Sequence, residues 1–170
     1  APAAPPRALL ASPKGVLYED ASIQIGVMRE SRPTELQTRV LLVYGNKTAF
    51  PMTGFVATVT GAGAGASVRT QPVADSIDAG QQARQGVIVQ ASGAPRLSDL
   101  PVLTVSFSAN SASATVAVRL PVHVGCYLAA SGIQPDAASF FAAWKPITAQ
   151  FQHVFKPADV GTCAAHVGRL

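Results

Sequence analysis

Thr38-Arg39-Val40-Leu41-Leu42-Val43-Tyr44, closed by Gly45-Asn46, decides the fold. Successive side chains of an extended strand point to opposite faces, so Val40, Leu42 and Tyr44 share one face and Leu41 and Val43 the other. A strand that is apolar on both faces belongs in the middle of a sheet or is covered on both sides. Gly45-Asn46 supplies the residues of a turn.

Shorter segments of the same kind lie on either side. Upstream, Gly15–Tyr18 is short and apolar, and Ile23–Met28 alternates with Ile23, Ile25 and Val27 on one face. Downstream come Phe55–Thr60, rich in β-branched residues, then Val68–Gln71 stopped by Pro72, Gly86–Gln90, Val102–Phe107 and Thr115–Val124. Pro121 lies inside the last run and marks an edge, a bulge or a break. Asp75–Gly80 reads as turn-rich, and Gly61–Ala66 as a loop tip with nothing to pack. That Gly/Ala run lacks the lysine and the strand–loop–helix setting of a phosphate loop. Seven or eight short strands with no helix between them predict an immunoglobulin-like β-sandwich.

Composition agrees. The chain has 170 residues, 48% hydrophobic and 13% charged, enough apolar content to bury a core. Its net charge is +4, yet Arg29, Arg32, Arg39, Lys47, Arg69, Arg84, Arg96 and Arg119 are scattered, with no basic stripe or interleaved aromatics, so nucleic acid is not expected as a partner. Two cysteines, Cys126 and Cys163, make no disulfide framework. No secretory leader and no apolar run of membrane-spanning length is read, and the cytosol is the default compartment. Asn46-Lys47-Thr48 fits the N-glycosylation pattern, which matters only to a secreted protein.

The two ends differ from the middle. Residues 1–14 are Ala/Pro-rich and read as an extended hinge or linker. After Pro135 the pattern becomes helical: Asp136 can cap the N-terminus, alanines follow, and Pro146 ends the run. Phe140, Phe141 and Trp144 fall at three- and four-residue spacings and gather on neighbouring faces. They are either core or a partly open aromatic anchor. The expected division is therefore a hinge at 1–14, a sandwich at 15–130, and at 131–170 the beginning of a second, incomplete subdomain.

No catalytic constellation emerges. Glu19-Asp20 adjoin, but neighbouring strand residues face opposite ways. There is no Gly-x-Ser-x-Gly elbow and no nucleophile beside a base, so a hydrolase is not expected. His123-x-x-Cys126 and Cys163-x-x-His166 superficially resemble two zinc half-sites, but a chance pairing is the preferred reading, with Cys126 buried and the histidines solvated or locally hydrogen-bonded. The chain reads as a non-enzyme with no cofactor and no metal.

A series of short matches carries a resemblance: Gly15-Val-Leu-Tyr-Glu, Ile23-Gln-Ile-Gly-Val, Val43-Tyr-Gly-Asn-Lys-Thr48, Gln71-Pro-Val, Pro101-Val-Leu-Thr-Val, Leu120-Pro-Val and Phe140-Phe-Ala-Ala-Trp-Lys145. In order and spacing they resemble the C-terminal appendage, or ear, of alpha-adaptin, the large subunit of the plasma-membrane clathrin adaptor complex. The similarity covers roughly residues 15–155.

The resemblance implies a mainly β protein: an immunoglobulin-like sandwich followed by the start of an α/β platform. It implies a recruitment module for short Asp-Pro-Phe, Asp-Pro-Trp and Phe-x-Asp-x-Phe motifs in endocytic accessory proteins. Other adaptor subunits would be met through an N-terminal trunk, and membrane only peripherally through the whole complex, at coated pits on the cytoplasmic face of the plasma membrane. By this analogy Phe141 and Trp144 floor a platform pocket backed by Phe140. A second peptide site on the sandwich side falls at Gly26, Val43 and Gln82, with Val43 in place of the family's aromatic and Met28 in place of a basic residue. The readings from other classes are an extracellular immunoglobulin-like adhesion or receptor domain, which predicts a glycan on Asn46, and a purely structural sandwich.

Overall fold

The computed structural model describes residues 2–61, 65–92 and 100–127, with the single positions Ala138, Phe141, Ala142 and Lys145. The chain divides into two compact units, Ala1–Ala130 and Ser131–Leu170. In the second, Ala138, Phe141 and Ala142 have helical geometry, and the Lys145 N–H donates to the Phe141 carbonyl at 2.9 Å. The remainder of the expected platform lies outside the described residues.

The first unit is a two-layer antiparallel sandwich. Its strands are β1 (Lys14–Glu19), β2 (Ile23–Arg32), β3 (Gln37–Asn46), β4 (Met52–Thr60), β5 (Ala66–Thr70), β6 (Ser76–Ile77), β7 (Gln82–Ala91), β8 (Val102–Ala109) and β9 (Ala112–Arg119). One sheet has the order β1-β2-β3-β7-β5, the other β6-β4-β8-β9. Strand β3 is central, as its two apolar faces predicted. Thr38, Val40, Leu42, Tyr44 and Asn46 point inward, while the opposite face is half-buried rather than covered by another layer. Strand β9 is an edge and ends at Arg119, two residues before Pro121. The expected immunoglobulin-like sandwich is thus what forms. Strand β6, in a stretch read as turn, is a two-residue addition to β4 through Met52↔Ile77 and Thr53↔Ser76.

Period-2 alternation builds the core. Ile23, Ile25 and Val27 of β2 and Val40, Leu42 and Tyr44 of β3 meet Phe55, Leu103, Val105, Phe107, Val116 and Val118 of the facing sheet. A buried polar group is costly without partners. The Tyr44 hydroxyl donates to Gln85 Oε1 at 2.6 Å, and Gln85 Nε2 reaches the carbonyls of Gln71 (3.0 Å) and Ala57 (3.3 Å). Ala57 belongs to the other sheet, so this chain ties the two layers. Burial raises the Tyr44 hydroxyl well above the ordinary tyrosine range, keeping it a donor at any working pH.

Residues 2–13, expected as an extended hinge, are docked instead. Ala3 forms a parallel bridge with Val118, α1 spans Ala8–Ala11, and Leu9 is buried in the core. The physical reason is that an apolar leucine with a cleft within reach gains more from burial than from solvent. Proline content restricts the path without preventing docking.

The β1–β2 turn is held by one carboxylate. Asp20 Oδ1 accepts the N–H groups of Ser22 (2.7 Å) and Ile23 (2.8 Å), Oδ2 accepts the Tyr18 hydroxyl (2.9 Å), and Lys47 Nζ donates to Glu19 Oε1 and the Asp20 carbonyl, both at 2.8 Å. Burial alone would raise the Asp20 carboxyl. The N–H groups of Ile23 and Ser22, the Tyr18 hydroxyl and Lys47 outweigh it and hold the group below its ordinary value. The unfolded chain therefore takes up this proton at higher pH than the folded one. The stabilisation is present above the unfolded value of about 3.9 and is lost as pH falls below it. Melting temperature followed from pH 6 to pH 2.5 should fall more steeply for the native sequence than for Asp20→Asn, which keeps the acceptor oxygen without the charge. Parallel profiles would show that Asp20 does not couple to folding.

Candidate functional site

Backbone pairing sets the outer face of the five-stranded sheet. Gly26 lies opposite Val43, Val43 opposite Arg84, and Gly45 opposite Gln82, so the three sandwich-side residues expected from sequence come together on neighbouring rungs. A side chain added at Gly26 would meet Val43 Cβ at 3.7 Å, ordinary contact, and the Gln82 side chain lies over Gly45. One rung further, Lys14, Met28, Leu41 and Gly86 align across four strands.

Gly86 leaves a gap in this surface. It floors a cavity of about 490 Å³ lined by Met28, Glu30, Arg39, Leu41, Gln71 and Ile88. The Gln71 N–H donates to the Gly86 carbonyl at 2.8 Å, and its carboxamide lies where a Gly86 side chain would be. Apolar surface is unusually open here: Met28 is 52% and Val16 44% exposed. The register also puts Lys14, Arg39, Arg69 and Arg84 on this face. Of the carboxylates described on this face, Glu30 lines the cavity and is engaged by Arg32 Nε at 3.0 Å, and Glu19 is engaged by Lys47. An apolar strip with a basic rim suits a short peptide that carries an apolar anchor and acidic flanks. The sequence missed Gly86, Gln71 and Arg84 because only strand pairing brings them here: β3–β7 sets Arg84 opposite Val43 and Gly86 opposite Leu41, and β5–β7 carries Gln71 to Gly86.

In the second unit Phe141 is exposed, at 64% of its surface. Phe140 and Trp144 lie outside the described residues. Of the zinc half-sites, Cys163 and His166 lie outside them too. Cys126 is buried with its thiol towards the Pro121 carbonyl, and both His123 nitrogens are engaged, Nδ1 by the Gly125 N–H and Nε2 by the Leu10 carbonyl.

The family model described as the adaptin C-terminal domain matches residues 13–121. This span covers the sandwich from the start of β1 to the end of β9. The chain belongs to the adaptin C-terminal domain family. The resemblance to the ear of alpha-adaptin is thereby borne out, and relatives agree. This adaptin C-terminal domain is 31% identical to AP-2 complex subunit alpha-2 of Dictyostelium discoideum over 153 residues, 86% of this chain and 15% of the relative. It is 30% identical to AP-2 complex subunit alpha-1 of Arabidopsis thaliana over 141 residues, 83% of this chain and 13% of that protein. The chain thus spans about a seventh of the length of the curated relatives it matches. Among solved structures, the GAE domain of GGA2p from Saccharomyces cerevisiae superposes with a TM-score of 0.55 at 13% identity, covering 64% of this chain and 96% of that one. The yeast GGA1 GAE domain gives 0.53 at 17% identity, covering 64% and 99%. At such identities the likeness concerns the fold alone.

Proposed function

We infer that this domain is the appendage of an AP-2-type alpha subunit and works by recruitment, not catalysis. The observation that carries the reading is the adaptin C-terminal domain match across the whole sandwich. Its ligands are short linear motifs of the Asp-Pro-Phe and Asp-Pro-Trp kind in endocytic accessory proteins. They are gathered at clathrin-coated pits on the cytoplasmic face of the plasma membrane, where the other adaptor subunits are met through the rest of the longer polypeptide. Two places are proposed for them: a platform site at Phe140, Phe141 and Trp144, and a sandwich-side site at Gly26, Val43 and Gln82. The basic rim of the sandwich face supports the second by complementing an acidic peptide.

A motif of a few residues orders on binding, so each contact is weak alone and gains by repetition in a flexible partner, by a factor on the order of 10² or more. The buried, fully engaged Asn46 speaks against the extracellular reading, because both of its amide hydrogens are in use.

The test is a titration with an Asp-Pro-Phe peptide and an Asp-Pro-Ala control, following the fluorescence of the single tryptophan, Trp144. A saturable change with the first alone is expected. Backbone amide shifts recorded in parallel assign the sandwich-side contribution, and Val43→Glu should abolish shifts at Gly26 and Gln82 while leaving the fluorescence change intact. Absence of both signals at millimolar peptide would overturn the recruitment reading.

A further inference from the structure

The open side of the sandwich between β9 and β1 is already filled by an extended segment of the chain itself. Ala3 donates its N–H to the Ala117 carbonyl at 3.0 Å and accepts the Arg119 N–H at 2.9 Å, so it adds one parallel rung to the edge of the four-stranded sheet. Pro5 and Pro6 have no N–H to continue the pairing. The Leu9 N–H then bonds to the Pro6 carbonyl, α1 turns, and Leu9 enters the core at 3% exposure.

The receiving side is shaped for this segment. Gly15 lacks the side chain that would block it: a Cβ there would lie 2.8 Å from Leu9 Cδ2. His123 Nδ1 accepts the Gly125 N–H at 3.1 Å, so Nε2 carries the proton and donates to the Leu10 carbonyl at 2.9 Å. The Arg29 N–H donates to the Pro13 carbonyl at 2.7 Å, and its guanidinium reaches both the Ser12 and Pro121 carbonyls.

Two features make this an interface rather than core. Leu9 is the one buried side chain in residues 2–13; the others are half-buried or exposed. The remaining attachments are hydrogen bonds at the rim to backbone groups: the N–H and carbonyl of Ala3 and the carbonyls of Leu10, Ser12 and Pro13. Such a segment, held by one anchor and edge pairing, opens at lower free energy than the central strands.

We propose that the β9–β1 side is a peptide-docking cleft occupied in cis by residues 2–13, and that release of this strap frees the cleft for a nearly uncharged segment of the same form, with one edge-pairing residue and a leucine anchor on a following helical turn. This goes beyond motif recruitment by the outer face, because the cleft lies between the sheets and selects for a leucine and backbone pairing rather than acidic flanks. Release also moves the point where the polypeptide leaves the sandwich from the β9 edge to β1. Twelve freed residues extend the tether by up to about 40 Å at roughly 3.3 Å per residue.

The experiment uses the full 170-residue chain and Leu9→Asp, with hydrogen exchange read at the Arg119 amide and at Leu42 of β3 as an internal standard. Leu9→Asp should lower Arg119 protection at least tenfold and leave Leu42 protected. A fluorescently labelled peptide of residues 2–13 should then bind the variant saturably in anisotropy. It should not bind the native chain below about 100 µM, where the tethered copy holds a millimolar effective concentration. The same peptide with aspartate in place of its anchor leucine should bind neither. Unchanged Arg119 protection in Leu9→Asp, release without peptide capture, or equal capture by the native chain would each overturn the proposal. If Leu9→Asp also lowers Leu42 protection, Leu9→Ala decides both release and capture, since it removes the anchor without burying a charge.

Discussion

Replacing Asn46 by alanine is expected to lower the unfolding free energy by about 3–5 kcal/mol, a large share of the 5–15 kcal/mol typical of a domain. Asn46 ends β3 and is 3% exposed, with every polar atom of its side chain in use. The amide nitrogen faces the carbonyls of Phe50 (2.9 Å), Ile77 (3.0 Å) and Asp78 (3.1 Å); with two hydrogens for three acceptors, one bond is shared. The amide oxygen accepts the Thr48 N–H at 2.9 Å and its hydroxyl at 2.8 Å. These bonds pin the β3–β4 turn to the two-residue strand β6 and to the loop after it. Alanine would leave acceptors and donors without partners where water has little access, and each such group costs about 1–3 kcal/mol. Asn46→Asp should be at least as harmful, since it sets an anion against three carbonyl oxygens. Urea unfolding measures the effect, with Lys47→Ala as the neighbouring exposed control, expected to change stability by less than about 1 kcal/mol. A loss under about 1 kcal/mol for Asn46→Ala would show that the buried network is not holding this end of the sandwich.

Asn46 also shows what a sequence can and cannot say. Its sequence reads as a turn residue and as a glycosylation pattern, both local properties, whereas the structure makes it the last paired residue of β3. Its burial is not local: Phe50 lies in the same turn, but the carbonyls of Ile77 and Asp78 come near only through the β4–β6 pairing. Gln85 is a similar case. It sits in the polar run Gln81-Gln82-Ala83-Arg84-Gln85, which conceals the first half of β7, and it is buried because the β3 ladder continues to Gly45↔Gln82. By contrast the apolar parts of β2, β3, β4 and β8 were legible, since their inward-face alternation depends on no partner, while the polar end of β2 at residues 29–32 and the start of β4 at residues 52–54 were not. The sandwich followed from that alternation. On the candidate face, Gly26 and Val43 were named by resemblance. Gly86, Gln71 and Arg84 carry no local signal, because a cavity on a sheet is a property of register.

Phe55→Ala should be the most damaging of the core truncations, at about 3–5 kcal/mol. Phe55 is 2% exposed on β4 and stands where the two sheets are joined by aromatic rings. Its ring meets Tyr44 of the opposite sheet edge-on, with centroids 5.0 Å apart and planes at 62°. It lies nearly parallel to Phe107 of the neighbouring strand β8, at 6.4 Å and 22°. Edge-to-face and offset pairs of this kind add about 0.5–1.5 kcal/mol beyond the area they bury. Removing the ring opens a cavity beside Tyr44, whose hydroxyl is fixed by Gln85, so the surroundings can collapse only by breaking that bond. This constraint is why the cost should fall in the upper part of the range for a phenylalanine. Phe55→Leu retains much of the volume and should lose less than half as much. A double-mutant cycle of Phe55→Leu with Tyr44→Phe separates the two contributions. If the ring contact and the Tyr44–Gln85 bond are one unit, the coupling should exceed about 0.5 kcal/mol; strict additivity would mean that the sheets are held by area alone.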